Sequence, residues 1–341
     1  IRKGDYPRAF ALAEQARTRS LAESRSPAAG RSLKQVQDSL GASDALLSLN
    51  QFDDELAVWV IRSHGTTVTT RPLTRRNAEQ LVARQQDEIR FEAAEPDASA
   101  DLYNEIIRPV MSQLSGVRRL AVVSDPTFAD AAFAAFWDRS SRRFLVERMH
   151  VNVTPNASAF GIASVREPRA VGTPLVLSGP GDNEAADARA VAAAYASSQL
   201  LTGDAATRSQ FLVAASNRQI VHVSARTVEN HAYPLLSRVV LADEAGRPYS
   251  GAVMGRDIVK RPAGQARLVV LDSTASTALD HGAFNLTRAF LTAGVPAVLA
   301  TLPGAEEAAT RELMVGFHRL MSSGITADEA LNQLQRNVLQ S

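Results

Sequence analysis

The chain contains no cysteine. That single absence excludes disulfides, thiolate metal sites and a cysteine nucleophile. Lysine is nearly absent as well: Lys3, Lys34 and Lys260 are the only ones, and arginine supplies the remaining cations. The arginines are scattered, which reads as a compositional habit rather than a phosphate-binding design. Neither sign of charge dominates, with a net charge of +1. Nothing in the bulk electrostatics therefore argues for nucleic acid or a membrane surface. No apolar run reaches the roughly 18–20 residues a membrane span needs. The chain opens on Ile1 inside a helical pattern, which we read as a piece of a longer protein, so a missing signal peptide carries little weight. What remains is an ordinary globular balance, 45% apolar and 21% charged over 341 residues. That length suits one large domain or two ordinary ones.

Residues 5–24 carry helical spacing through Phe10, Ala13, Ala16 and Leu21, with Pro7 suited to a first turn. "SPAAG" at 26–30 breaks the pattern, and 31–41 predicts a short helix stopped by Gly41. Strand-rich stretches follow at 44–51, 56–65 and 66–73, with a hairpin turn at Ser63-His64-Gly65. Amphipathic helices are expected at 74–93 and 98–115, a buried strand at 118–125, and short strands near 132–137 and 143–155. From 171 onward strands and helices alternate. Strands fall at 173–178, 198–201, 218–225, 237–246, 266–273 and 295–303. Helices fall at 183–196, 207–216, 285–294, 305–322 and 326–340. Near-continuous apolar strands separated by helices predict a parallel sheet covered on both faces. The functional crevice of such a sheet lies at the carboxyl ends of its strands, here 179–182, 225–228, 272–277 and 301–304.

Few of these strand ends carry recognisable chemistry. Gly179-Pro180-Gly181-Asp182 lacks the glycine spacing that cradles phosphate, so it reads as a plain strand–helix turn. The six histidines show no HxxxH or HExxH spacing, and no metal or other cofactor is expected. His222 sits inside an apolar strand as a buried structural histidine. Asp272-Ser273-Thr274-Ala275-Ser276-Thr277 closes the strand "LVVL". Small hydroxyl residues there are placed as nucleophiles would be, and they are equally ordinary turn formers. A hydroxyl nucleophile needs an adjacent base. At about 3.3 Å per residue, His222 lies roughly 13 Å before the end of its own strand at Arg226, which suits it poorly as that base.

In this order and setting, the strand ends "VHVSART" and "VVLDSTAST" resemble those of the CHAT family, caspase-like domains that follow tetratricopeptide repeats. The resemblance covers almost the whole chain. "GDYPRAFALAEQARTRSLAE" is similar to the helical run leading out of the repeats. "LYNEIIRPV", "VRRLAVVSD" and "FLVERMHVNVTPNAS" are similar to the first half. "LLTGDAAT", "PLLSRVVLAD", "NLTRAFLTAGVPAVLATL" and "ITADEALNQLQ" are similar to successive landmarks of the second half. The fold implied is a three-layer α/β/α caspase-like domain with a mostly parallel sheet behind a short helical lead. The implied organisation is a lead at 1–41, an N-terminal half at 42–170 and a caspase-like C-terminal half at 171–341.

Active members, the resemblance implies, end the strand at 219–225 in His-Gly. They end the strand at 267–272 in a segment of the type Ser-Ala-Cys-Asp/Asn-Ser/Thr-Gly. The histidine is the general base, the cysteine the nucleophile, and neighbouring backbone N–H groups form the oxyanion hole. In this chain Arg226 stands at the histidine position and Thr227 at the glycine after it. Thr274 stands at the cysteine position and Thr277 at the later glycine. The oxyanion-hole-like positions are Thr227 and Thr274. Clan members often place an acid two residues before the cysteine, where it pairs with a basic substrate side chain. Asp272 occupies that place, and Arg226 is expected either to fill the pocket by pairing with Asp272 or to point into solvent.

A guanidinium cannot accept a proton near neutrality, so the expected function is a catalytically inactive pseudoprotease that binds or regulates. Its partner would be a peptide, another caspase-like protease or its own repeats, in a bacterial cytoplasm. The competing reading is an active peptidase using Thr274 or Ser276, with His281 as a non-standard base and Asp280 its only available acid. A third is a crevice given over to a small ligand.

Overall fold

In the computed structural model the described residues are 5–22, 31–154, 156–157, 172–230, 232–272, 284–301 and 307–339. Two five-stranded sheets organise them, and the chain divides into two compact units, residues 1–162 with 335–341 and residues 163–334.

In the first unit, helices α1 (Tyr6–Ala22) and α2 (Leu33–Ser39) precede a meander of β1 (Asp44–Gln51), β2 (Glu55–Arg62) and β3 (Gly65–Pro72). Arg62 pairs with Gly65, leaving Ser63 and His64 as the two-residue hairpin loop. Helices α3 (Arg75–Arg90) and α4 (Asp97–Leu102) lead to β4 (Arg119–Val123). Short pieces β5 (Trp137–Asp138), β6 (Arg143–Phe144) and α5 (Leu145–Arg148) then lead to β7 (His150–Thr154). The sheet order is β3-β2-β1-β4-β7, antiparallel through β1 and parallel beyond it. Alternate residues face opposite sides of a strand. Leu47, Leu49, Val58 and Val60 therefore bury against α3 and α4, while Leu46, Ala57, Trp59 and Ile61 bury against Phe10 of α1 and Val36 of α2. Tyr6 meets Trp59 edge-on, with ring centroids 5.7 Å apart.

The second unit contains β8 (Leu175–Ser178), α6 (Asp182–Ala192), β9 (Gln199–Leu201), α7 (Arg208–Ala214), β10 (Ile220–Ser224) and the short strands β11 (Thr227–Val228), β12 (Arg238–Val240) and β13 (Ala252–Met254). It continues through α8 (Gly255–Val259), β14 (Leu268–Asp272), α9 (Phe284–Thr292), β15 (Ala297–Ala300), α10 (Glu307–Ser322) and α11 (Ala327–Val338). The main sheet, β15-β14-β10-β8-β9, is parallel throughout. One face packs on α7, α8 and α9 through Phe211, Ile258 and Phe290. The other packs on α6, α10 and α11 through Val191, Phe317 and Ala330. This is the expected three-layer α/β/α arrangement with parallel sheet strands.

The structure corrects several local expectations. The helix expected over 98–115 is α-helical only to Leu102. It then widens into a π-turn at Tyr103–Ile107 and tightens into a 3-10 turn at Arg108–Val110. Pro109 has no N–H to continue the ladder. The stretch at 132–137 is a 3-10 turn, Phe133–Ala135, before two-residue β5. The strand over 237–246 contracts to β12. There it forms a small antiparallel sheet with β11 and β13, which the sequence pattern had not suggested. Instead of one sheet the described residues form two five-stranded sheets, the first of them mixed, and two smaller antiparallel ones.

Candidate active site

Every residue of β10 is buried, because β10 lies between β8 and β14 with helices on both faces. Its register with β14 places Ser224 opposite Asp272. Ala225 extends the ladder by donating its N–H to the Asp272 carbonyl at 3.0 Å. The two positions singled out in sequence, Arg226 and Thr274, each follow this matched pair by two residues. Arg226 is described; Thr274, Ser276, Thr277, Asp280 and His281 lie outside the described residues.

At Arg226 the chain leaves the parallel sheet. Its carbonyl accepts from Val240 N–H at 3.0 Å, and Thr227 pairs with Val239. Thr227 is fully buried in that short antiparallel ladder. The Arg226 guanidinium is exposed. Among the described residues it forms no ion pair with Asp272, and its exposure matches the second of the two alternatives left open by the sequence, Arg226 in solvent. Asp272 is instead buried at the end of β14, only 2% exposed. A cation whose field it feels is Arg311 of α10. The Arg311 pKa is raised first by its hydrogen bond and charge interaction with Asp187, and further by Glu307 and Asp272.

Glu184 was not foreseen in the sequence. It belongs to the first turn of α6 and is only 8% exposed. One carboxylate oxygen accepts from Gly181 N–H at 2.9 Å, and the other from Arg226 N–H at 2.9 Å. A single side chain thus ties the end of β8 to the end of β10. A Cβ at Gly179 would collide with this carboxylate. The Gly179-Pro180-Gly181 turn therefore makes room for Glu184 and is a structural strand–helix turn, as its spacing implied. The sequence signal was available: an acid three residues after the cap position is the second half of a capping box. Glu229 plays a related part at α9. It accepts from Ser237 Oγ and Asn285 N–H, both at 3.2 Å. Burial raises its pKa, and these hydrogen bonds partly offset that rise.

His222 belongs to a closed polar chain in the core. Its Nε2 lies 2.8 Å from Ser224 Oγ, and its Nδ1 lies 3.0 Å from His318 Nε2. His318 Nδ1 lies 2.6 Å from the Tyr195 hydroxyl. One proton sits between the two facing ring nitrogens, so at most one ring can carry charge. Both rings are fully buried. Burial lowers the His222 pKa to about 3. Burial, and secondarily the charge of His222, holds His318 well below its ordinary value. Burial raises the Tyr195 pKa. The chain is neutral throughout, and His222 is structural.

Among the described residues no group of three His, Asp or Glu side chains could hold a metal ion. No described helix is long and apolar enough to cross a membrane.

The sequence pattern of the CHAT domain matches residues 96–341. No curated protein matches the chain in sequence. A solved structure of the Saccharomyces cerevisiae separase–securin complex is similar in fold, with a TM-score of 0.56 at 9% identity. The match covers 96% of this chain and 32% of that one, so this chain spans about a third of its length.

Proposed function

The chain belongs to the CHAT domain family, and on that footing we propose that it is a non-catalytic member, a pseudoprotease that binds or regulates a protein or peptide. The observation that carries this reading is Arg226 at the end of β10. The family's general base belongs at this position, and a guanidinium stays protonated there at any physiological pH. The two described histidines of this unit, His222 and His318, are spent on each other in the core. Glu184 supports the same reading. It places a carboxylate on the Arg226 N–H, and negative charge beside a developing oxyanion opposes the stabilisation that acyl transfer needs. Thr227, in place of glycine, adds a Cβ where backbone would approach substrate.

The separase in the similar structure is held in a complex with securin, which supports a protein as the partner class here. Another caspase-like protease or a tetratricopeptide repeat region are the candidates, since such repeats offer a concave recognition surface. Asp272 remains the pocket residue of this proposal. A basic peptide side chain reaching it would compete with the field of Arg311.

The rival is a hydrolase using Thr274 or Ser276 with His281. An electrophilic peptide probe that captures hydroxyl nucleophiles, a peptidyl phosphonate mixture, separates the two readings by intact-mass analysis. The expected result is an unmodified chain. A stoichiometric adduct mapped to Thr274 or Ser276 would establish the hydrolase.

A further inference from the structure

At the end of the second sheet opposite Arg226, the structure leaves a cavity of about 170 Å³. It opens between α7, α8 and α9 at the amino ends of β10, β14 and β15. Its wall is apolar, with Phe211, Val221, Ile258, Val269, Phe290 and Val295 facing it. Phe211 and Phe290 meet edge to face with centroids 6.4 Å apart.

The rim is a built feature. The loop after α8 is pinned by Ala263 N–H to the Ala293 carbonyl and Gln265 N–H to the Ser216 carbonyl, each at 2.9 Å. Gly264 takes a φ of +60° there, and a Cβ would collide with the Ser216 carbonyl. Arg261 on this loop also lines the cavity. It is exposed, as is its neighbour Lys260. Among the described residues neither forms an ion pair. Asp257, the nearest acid in sequence, is bound to Arg208 at 3.0 Å. An apolar hole with an unneutralised basic rim complements an apolar molecule carrying one negative charge.

Size narrows the class. An apolar cavity of about 150 Å³ holds one benzene ring, and this one is close to that. A guanidinium matches the two oxygens of a carboxylate. We propose that this cavity binds a small apolar carboxylate of about one aromatic ring, with the ring packed against Phe211 and Phe290 and the carboxylate on Arg261. The site lies at the opposite strand ends from the dyad positions and does not depend on their chemistry.

Isothermal titration of the full chain with phenylacetate tests this, with neutral phenylacetamide as its isostere. The expected result is saturable one-to-one binding of phenylacetate. Losing one charge-assisted contact is worth about 1.4 kcal/mol, so R261Q should weaken phenylacetate about tenfold and leave phenylacetamide unchanged. Ala215 is a half-buried wall residue, and A215F should abolish binding of both compounds. A263L serves the same purpose if circular dichroism shows A215F misfolded. No saturable heat with phenylacetate overturns the proposal. So does equal affinity for the amide, and so does binding that neither the filling variant nor R261Q alters.

Discussion

Acidification from pH 7 to pH 4 is expected to remove most of the stability of residues 163–334. His222 and His318 are held neutral by burial, His222 with a pKa of about 3. Once unfolded, both return to about 6.5. Between those limits the unfolded chain binds more protons than the folded one, so stability is full above about pH 6.5 and falls as pH drops toward 3. Each proton taken up on unfolding contributes a slope of about 1.4 kcal/mol per pH unit. Over the roughly 2.5 units between 6.5 and 4, His222 alone amounts to about 3.5 kcal/mol, a large part of a typical domain stability, and His318 adds to it in the same direction. The groups facing them are Tyr195, Ser224 and each other; none is a carboxylate that could hold the added charge. Urea unfolding followed by circular dichroism at pH 7.5, 6, 5 and 4.5 checks this, beside a variant carrying both His222→Leu and His318→Leu. The parent should show the steeper slope between pH 6 and 5. Equal slopes would show that the pair does not govern acid sensitivity.

Glu184→Ala should cost about 3 kcal/mol, because two backbone N–H groups lose their acceptor in a buried place. For a unit of this size that is a fall in Tm of about 6–12 °C. Glu184→Gln discriminates the mechanism. An amide offers one oxygen and one NH₂, so it can accept from Gly181 or from Arg226, but the other N–H then faces a donor. Glutamine should therefore recover only part of the loss. Full recovery would mean that Glu184 acts by filling the space over Gly179 alone. Thermal melts of the three proteins at pH 7.5 decide between these outcomes.

Both predictions rest on residues whose sequence signals differ in kind. Glu184 lies three residues from the cap it serves, a local spacing from which it was readable although it was not singled out. His222 and His318 are 96 residues apart, and Arg311 is 124 residues from Asp187. No local pattern joins such pairs; only the stacking of α6 and α10 on one sheet face does. Strands with continuous burial, such as β10 and β14, were legible because their apolar runs admit no other element of that length. The small sheet of β11, β12 and β13 was not, since two- and three-residue strands carry almost no periodicity. The site itself was legible as a place. The family resemblance marks Arg226 and Thr274 as counterparts, and the parallel register puts Ser224 opposite Asp272, two residues before each in sequence. The sequence left open whether Arg226 pairs with Asp272 or points into solvent, because that cue gives proximity of backbone, not direction of side chain. Asp272 stays within the buried sheet, and Arg226 turns outward where the chain enters β11.

The central claim is that this caspase-like site has lost its chemistry while keeping its framework. Turnover of a mixed fluorogenic peptide library by the isolated chain tests it most directly, run beside Thr274→Ala and the restored variant Arg226→His with Thr274→Cys. The account predicts silence from the parent and from Thr274→Ala. Turnover by the restored variant would add that only the catalytic groups were missing. Turnover by the parent that disappears in Thr274→Ala would contradict the account and establish a threonine peptidase.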